Sequence, residues 1–400
     1  MREGNGVMRL NVIDLFCGAG GMSLGLKQAG FNIVAAMDNW DSAVDCYKNN
    51  FQGHVVHKQD LSDWREVMRI IQDTKCDMIV GGPPCQDFSE AGDRVEGDRA
   101  ELTKSFAKIV AEKHPRYFIM ENVPAAQKSK AYKAARAIFK RAGYGLTEVV
   151  LDASLCGVPQ RRKRFFCIGS LRDKNRFLIK MLLANQSDLP MTVRDYLKDE
   201  FPFEYYYRHP RTYGRKAIFS VDEPAPTMRG INRPLPKTYK KHSSDCADPR
   251  ECAIRSLDYR ERARIQMFPM TYKWTQQSSI NDQMVGNAVP VGLAKYVGNC
   301  LLKFIHNGNE GVPLNFTEWL CKNMHLRKEA AGDNLSRYRR AKKILSGNKY
   351  DEFSIEEALI STKEFQGLSK SIQNHLRRAC ELHCAYLRYL NKKQEGQNEK

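Results

Sequence analysis

Cys85 stands in the run Gly81-Gly82-Pro83-Pro84-Cys85-Gln86-Asp87-Phe88-Ser89, directly after the apolar stretch Asp77-Met78-Ile79-Val80. A thiol on a Gly/Pro turn at the carboxyl end of a strand is a candidate nucleophile, because a thiolate attacks far more readily than a neutral hydroxyl. The bland alternative is a buried structural cysteine. Further along, Glu121 follows the apolar Tyr117-Phe118-Ile119-Met120. Gln160, Arg162 and Arg164 alternate within one basic run, so in extended chain their side chains share one side. Asp38 and Asp60 close two more apolar stretches. A carboxylate at Asp38 can accept hydrogen bonds from both hydroxyls of a ribose, and one at Asp60 can accept from an adenine amino group. Between them and the N-terminus, Cys17-Gly18-Ala19-Gly20-Gly21 lets the backbone approach a ligand closely. Together these groups fit an adenosyl ligand beside a nucleophile, although each aspartate taken singly is equally an ordinary solvated loop residue.

The elements that must position these groups alternate between strands and helices. Residues 12–16 read as a first strand, the glycine run as a tight turn, and 22–29 as a helix stopped by Gly30. A second strand covers 31–37 and ends at Asp38, and a third lies near 54–57. Residues 77–80 form a short buried strand before Cys85. The polar segment 90–99 reads as a loop, 102–113 as a helix, 117–120 as a strand and 130–142 as a helix. Short strands follow at 149–151 and 165–168. Ligands in such open α/β sheets bind at the carboxyl edge of the strands, and that edge is where Cys85, Glu121, Asp38 and Asp60 fall.

The chain has 400 residues, 42% of them hydrophobic, which suits one large domain with an appendage or two to three smaller ones. Its formal charge of +18 points to a polyanionic partner, and the absence of a signal peptide and of a long apolar span favours nucleic acid over membrane. Twelve scattered cysteines without a Cys-x-x-Cys fit free thiols in a reducing compartment. Cys380-Glu381-Leu382-His383-Cys384 superficially resembles a metal cluster but reads as one apolar helix face, and no metal is assigned.

The blocks Asp14-Leu15-Phe16-Cys17-Gly18-Ala19-Gly20-Gly21, Pro83-Pro84-Cys85-Gln86, Glu121-Asn122-Val123 and Gln160-x-Arg162-x-Arg164 stand in one order with two later ones. The later blocks are Arg260-Glu261-x-Ala263-Arg264-Ile265-Gln266-x-Phe268-Pro269 and Gln283-Met284-Val285-Gly286-Asn287-Ala288-Val289-Pro290. In this order they resemble the DNA (cytosine-5)-methyltransferases over roughly residues 10–305. The resemblance implies an α/β, Rossmann-like S-adenosylmethionine-dependent methyltransferase fold with a small target-recognition subdomain and a helical C-terminal extension. It places a catalytic and cofactor-binding domain at 10–175, completed by 280–305, a recognition subdomain at 176–279 and a basic extension at 306–400.

The resemblance also implies the chemistry. S-adenosyl-L-methionine would be the cofactor, held by Phe16, Gly18, Gly20, Asp38, Asn39, Asp60, Leu61, Gly82, Pro84 and Asn287. Phe16 would pack on the adenine, Asp38 bind the ribose, and Asp60 and Leu61 flank the adenine. Asn39 departs from the large side chain common at that position. Cys85, Glu121, Arg162 and Arg164 would be catalytic. Cys85 would add to carbon 6 of a cytosine flipped from the duplex, with Glu121 at ring nitrogen 3 and Arg164 at O2. Arg162 would orient Glu121 or a neighbouring phosphate, and the segment 86–99 would close over the base. The partner is double-stranded DNA, the chain acts as a monomer in the cytoplasm, and a cognate restriction endonuclease belongs to the same system without direct contact. The compact chain without a long N-terminal arm fits a bacterial or phage enzyme. Alternatives are an RNA cytosine-5 methyltransferase on the same scaffold and a catalytically silent DNA-binding homologue. A NAD-linked oxidoreductase is excluded by the lack of Gly-x-Gly-x-x-Gly at the first turn.

Within 176–279, Tyr205-Tyr206-Tyr207-Arg208-His209-Pro210-Arg211 and 237–242 interleave aromatics with cations, suited to stacking on bases and pairing with phosphates. An irregular small subdomain with a solvated surface is the equal alternative. Residues 223–230 read as ordered scaffold. In the tail, 337–345 and 368–390 read as basic amphipathic helices, and 391–400 as disordered.

Overall fold

The computed structural model describes residues 9–84, 98–210, 212, 214–310, 312, 314–345 and 350–398. Cys85 lies outside the described residues. The strands are β1 (Asn11–Leu15), β2 (Asn32–Asp38), β3 (Val55–Lys58), β4 (Met78–Gly81), β5 (Tyr117–Asn122), β6 (Gly145–Asp152), β7 (Gln160–Arg161) and β8 (Lys163–Ser170). All but β7 form one sheet in the order β3-β2-β1-β4-β5-β8-β6. The strands from β3 to β5 are parallel to their neighbours, and β8 runs antiparallel to both β5 and β6. Parallel strands are covered on both faces and so read as unbroken apolar runs rather than as alternation. Val12-Ile13, Met78-Ile79-Val80 and Phe118-Ile119-Met120 have that character and are fully buried.

The helices that cover the sheet are α1 (Gly21–Ala29), α2 (Asp41–Asn50), α3 (Trp64–Ile71), α4 (Asp98–Lys113) and α5 (Lys130–Arg141). On one face, Ile13, Leu15, Ile79 and Phe118 pack with Val67 and Ile71 of α3, Phe106 and Val110 of α4, and Tyr132 and Phe139 of α5. The other face packs Ala36 with Cys46 and Tyr47 of α2, and with Phe268, Met284, Val285 and Val291. Side-chain caps start two of these helices: Asp63 accepts from Glu66 N and Ser129 from Tyr132 N. Helix α1 is pressed onto the late segment so tightly that a Cβ at Gly21 would meet Val289 O at 2.2 Å and one at Gly25 would meet Val291 O at 2.3 Å.

From β1 the chain steps outward to β2 and β3, then returns to lay β4 on the opposite side of β1. This reversal opens a crevice at the carboxyl ends of β1 and β4, where open α/β sheets bind ligands. The expected strands and helices occur with shifted ends. Strand β5 runs on through Glu121 and Asn122, and β6 is longer than expected because Gly145-Leu146-Thr147 pairs with β8. Helix α4 begins at Asp98, so Asp98 and Arg99 are helical rather than loop. The rest of that expected loop lies outside the described residues.

Contacts divide the chain into two units, Met1–Ile179 with Pro190–His306, and Lys180–Leu189 with Asn307–Lys400. In the first, β9 (Tyr205–Tyr207) pairs antiparallel with β10 (Ile218–Ser220), and β11 (Ala225–Pro226) pairs parallel with β7. Residues 223–230 are thus ordered scaffold, as expected. Tyr206 and Tyr207 are not base-stacking groups: both are buried, in apolar clusters that include Val221 and Leu257 or Ile218 and Ala247. The apolar stretch Ser278–Asn307 is long enough to cross a membrane by length and composition. It is two helices, Ser278–Asn287 and Val291–Asn307, with most of it buried.

The second unit holds helices Phe316–Asn323, Lys328–Ile344, Ile355–Ile360, Lys363–Gln366 and Lys370–Asn398. Helix runs through 391–398, part of the stretch expected to be disordered. Cys380 and Cys384 sit in an apolar cluster with Tyr338, Leu345, Ile355 and Phe365. His383 stacks on Tyr338 at 3.7 Å and meets Asp188 Oδ2 through Nε2 at 2.9 Å. The Cys/His run therefore builds a core, with its one polar member paired to a carboxylate.

Candidate active site

The crevice is a cavity of about 500 Å³. One wall is the turn after β1. Phe16 has φ 61° and Gly18 and Gly20 have φ 53° and 83°, all in the left-handed region. A non-glycine residue held there is strained, and such strain collects at ligand sites. The turn closes with Gly20 N donating to Cys17 O at 2.8 Å. Asp38, at the end of β2, ties it down: Oδ2 accepts from Gly18 N at 2.8 Å and Oδ1 from Trp40 N at 3.0 Å. Burial raises the Asp38 carboxyl above the ordinary range, and the backbone donors from Trp40, Gly18 and Asn39 oppose the rise. Asp38, Asn39 and Trp40 all line the cavity.

Asp14 is the feature that reading the sequence overlooked. It sits in the buried strand β1 and is 1% exposed, yet lines the cavity. Its Oδ2 accepts from Ser23 Oγ at 2.6 Å, and Ser23 Oγ in turn accepts from Tyr47 Oη at 2.8 Å. Its Oδ1 has no partner among the described residues. Burial lifts this carboxyl from 3.8 to about 7. The available clue was a carboxylate inside Val12-Ile13-Asp14-Leu15, since a charge in a buried strand needs a partner.

The opposite wall comes from the ends of β4, β5 and β8. Glu121 is buried, and Arg164 Nε lies 2.9 Å from its Oε1. Burial raises the Glu121 carboxyl, while the Arg164 and Arg162 guanidiniums pull it down without cancelling the rise. Gly82 runs so near that a Cβ there would lie 3.1 Å from Glu121 Oε2, and Asn122 Nδ2 donates to Pro83 O at 3.1 Å. The residues immediately before Cys85 are thus pinned across the end of β5.

Gln160, Arg162 and Arg164 point to one side, as alternation predicts, while Arg161 and Lys163 face solvent. Arg162 is buried at 1% exposure. It donates to Met228 O at 2.9 Å, Gly286 O at 3.0 Å and Ala288 O at 3.0 Å. The guanidinium joins the recognition segment to the last block, a role that spacing along the chain did not reveal. Gln283, Asn287 and Val289 complete the wall.

Of the expected residues, the fold brings Phe16, Gly18, Asp38, Asn39, Gly82, Pro84, Glu121, Arg162, Arg164 and Asn287 to one cavity. Gly20, Asp60 and Leu61 do not line it. Gly20 packs behind the turn, where a Cβ would strike the Phe51 ring at 2.5 Å. Asp60 is exposed and accepts from Ser62 N at 2.9 Å, and Leu61 is buried in the core.

The profile of the family described as C-5 cytosine-specific DNA methylase matches residues 10–303. The chain is 48% identical over 296 residues to the type II methyltransferase M.HindV of Haemophilus influenzae, covering 74% of this chain and 97% of that protein. It is 48% identical over 298 residues to the type II methyltransferase M.HgiDI of Herpetosiphon aurantiacus, covering 74% and 96%. Among solved structures, the S. pombe Dnmt2 methyltransferase superposes with a TM-score of 0.57 at 21% identity, over 75% of this chain and all of that one. A DNA modification methyltransferase described as putative, from an E. coli prophage, gives 0.55 at 23% over 74% of this chain. These last two likenesses speak to the fold. With the match spanning every block that lines the cavity, the chain belongs to the C-5 cytosine-specific DNA methylase family and is a DNA (cytosine-5)-methyltransferase.

Proposed function

We propose that the chain methylates cytosine at a specific sequence in double-stranded DNA by covalent catalysis through Cys85, with S-adenosyl-L-methionine as donor. The observation that carries this reading is the buried carboxyl of Glu121, paired with Arg164 and overlain by the residues that lead into Cys85. The cavity suits the donor. Gly18 leaves open space, with nothing within 4 Å of an added Cβ, and Asp38 keeps acceptor capacity for ribose hydroxyls. The unpartnered Oδ1 of Asp14 offers an acceptor to an ammonium group. Phe16, Asn39, Gly82, Pro84 and Asn287 supply the remaining contacts. Gly20 shapes the turn from behind, and Asp60 and Leu61 are retained as residues near the adenine end. S-adenosyl-L-methionine, bound there, supplies an electrophilic methyl group.

Carbon 5 of cytosine is too weak a nucleophile to take that methyl directly. The Cys85 thiolate adds to carbon 6, forming a C–S bond and pushing electrons toward ring nitrogen 3. Glu121 protonates or hydrogen-bonds that nitrogen, a task suited to a carboxyl whose affinity for its proton is raised. Arg164 holds O2, and Arg162 keeps the wall in place around Glu121. Carbon 5, now enamine-like, becomes methylated. A base then removes its proton, and the electron pair expels Cys85 as thiolate. The reacting carbon is stacked in the duplex, so the base must be extruded first.

In this reading residues 10–175 with 280–305 form the catalytic domain, 176–279 the recognition subdomain and 306–400 a basic extension, with 180–189 packed among the extension's helices. Two relatives are named type II methyltransferases, which supports a cytoplasmic, monomeric enzyme of a restriction-modification system with a cognate nuclease that it need not touch. Bisulfite sequencing of DNA from a host expressing the wild-type chain or Cys85→Ser tests the reading. Full protection of one short motif by the wild type and none by the variant is expected. Protection by both would remove Cys85 from the chemistry.

A further inference from the structure

The segment 228–233 of the recognition region is held at several points. Met228 O accepts from Arg162 Nη1 at 2.9 Å, Arg229 O accepts from Arg262, and Asn232 Nδ2 donates to Leu257 O at 2.8 Å. Arg262 is itself buried and paired with Asp282. Gly230 lies hard against the cavity wall: a Cβ at Gly286 would meet Gly230 N at 2.1 Å, and one at Gly230 would meet Gln283 Cα at 3.3 Å. A segment pinned in this way has few conformations left, and its apolar side chain would ordinarily turn inward. Ile231 does the reverse and is 64% exposed. Lone exposed aliphatics are common on protein surfaces. This one stands on a rigid support, next to exposed Arg233 and one residue from contact with cavity-lining Gln283.

We infer that Ile231 is a base-contacting residue: its side chain packs against the DNA bases beside the position the extruded cytosine leaves and holds the duplex open there. The inference rests on the extrusion step of the proposed function. Extrusion strips two bases of a stacking neighbour, and proteins that separate base steps do so with apolar side chains. A side chain on a preorganised loop does this without an ordering cost at the moment of binding. The neighbouring cations Arg229 and Arg233 fit the phosphates that flank such a step.

The test uses the full chain and two duplexes bearing the motif found by bisulfite sequencing, one fully paired and one with a mismatched base opposite the target cytosine. A mismatch lowers the cost of extrusion. Ile231→Ala is expected to lower kcat/KM on the paired duplex about tenfold, the equivalent of losing part of one buried aliphatic contact. The deficit should shrink to less than about threefold on the mismatched duplex. Ile231→Leu should behave as wild type, Ile231→Asn as the alanine variant, and the KM for S-adenosylmethionine should not move. Equal rates for Ile231→Ala and wild type on paired DNA overturn the assignment, as does an equal loss on both duplexes. If wild type binds the mismatched duplex no more tightly than the paired one, extrusion and this assignment fall together. If it does bind more tightly and the variants still match it, Ile231 alone is refuted.

Discussion

Replacing Arg162 by alanine separates two roles for that residue. Were it to orient Glu121 or a phosphate, its loss would slow the reaction and leave the fold intact. The structure instead gives its guanidinium three backbone carbonyls to hold, Met228 O, Gly286 O and Ala288 O, from segments 66 to 126 residues away. Each carbonyl left without a donor costs roughly 1–3 kcal/mol, and relaxation recovers part of the sum. A net destabilisation of about 3–5 kcal/mol follows, the range for breaking a buried charged contact. That is a large fraction of a typical total of about 5–15 kcal/mol. The assay is equilibrium urea unfolding of wild type, Arg162→Ala and Arg162→Lys, alongside calorimetric binding of S-adenosylmethionine. Arg162→Ala should lose stability and bind the cofactor weakly, because Gly286 and Ala288 belong to the cavity wall. Arg162→Lys should recover part of both. An alanine variant within about 1 kcal/mol of wild type that binds cofactor normally but does not methylate would refute the locking role.

Asp14 carries a pH signature. Its folded value of about 7 lies above its ordinary 3.8, so the folded state binds the proton more tightly. Its contribution to stability is therefore present below about pH 4 and is lost as pH rises toward 7, by about 3–5 kcal/mol in the ligand-free protein. Asp14→Asn should flatten unfolding free energy against pH over that window, and parallel curves for the two proteins would contradict the assignment. Glu121→Gln keeps an acceptor for Arg164 but has no proton to give, so kcat should fall about 10²–10⁴-fold while the KM for cofactor stays constant; a variant near wild-type rate would remove Glu121 from proton transfer. Asp38→Ala should raise the KM for cofactor more than it lowers kcat, because its contacts are remote from the transferring methyl. An unchanged KM would place the ribose partner elsewhere.

What could be read from the chain and what could not differ in range along it. The side shared by Gln160, Arg162 and Arg164 followed from alternation, and the turn at 17–21 from its glycines, because both are local. The partners of Arg162 were not legible, since nothing in the run around it points to Met228 or Ala288. Tyr206 and Tyr207 misled because an aromatic beside an arginine looks the same whether it awaits a base or fills a core. The pairing of β9 with β10 decides for the core. In the tail, periodicity revealed parts of the helices Lys328–Ile344 and Lys370–Asn398. It missed Ile355–Ile360 and Lys363–Gln366, which are too short for periodicity to show and owe their order to packing on the longer helices. Asp60 stands at a strand end as expected but turns back on Ser62, a local hydrogen bond that competes with ligand binding.

Covalent attack by Cys85 is tested most directly with DNA carrying 5-fluorocytosine at the target position. Fluorine replaces the proton that must leave carbon 5, so the C–S bond formed by the nucleophile cannot be broken. The enzyme, this duplex and S-adenosylmethionine should yield a stable protein–DNA adduct, and proteolysis with mass spectrometry should place a methylated 5-fluorocytosine on Cys85. An adduct on another cysteine, or none from an enzyme that methylates ordinary DNA at full rate, would contradict the mechanism.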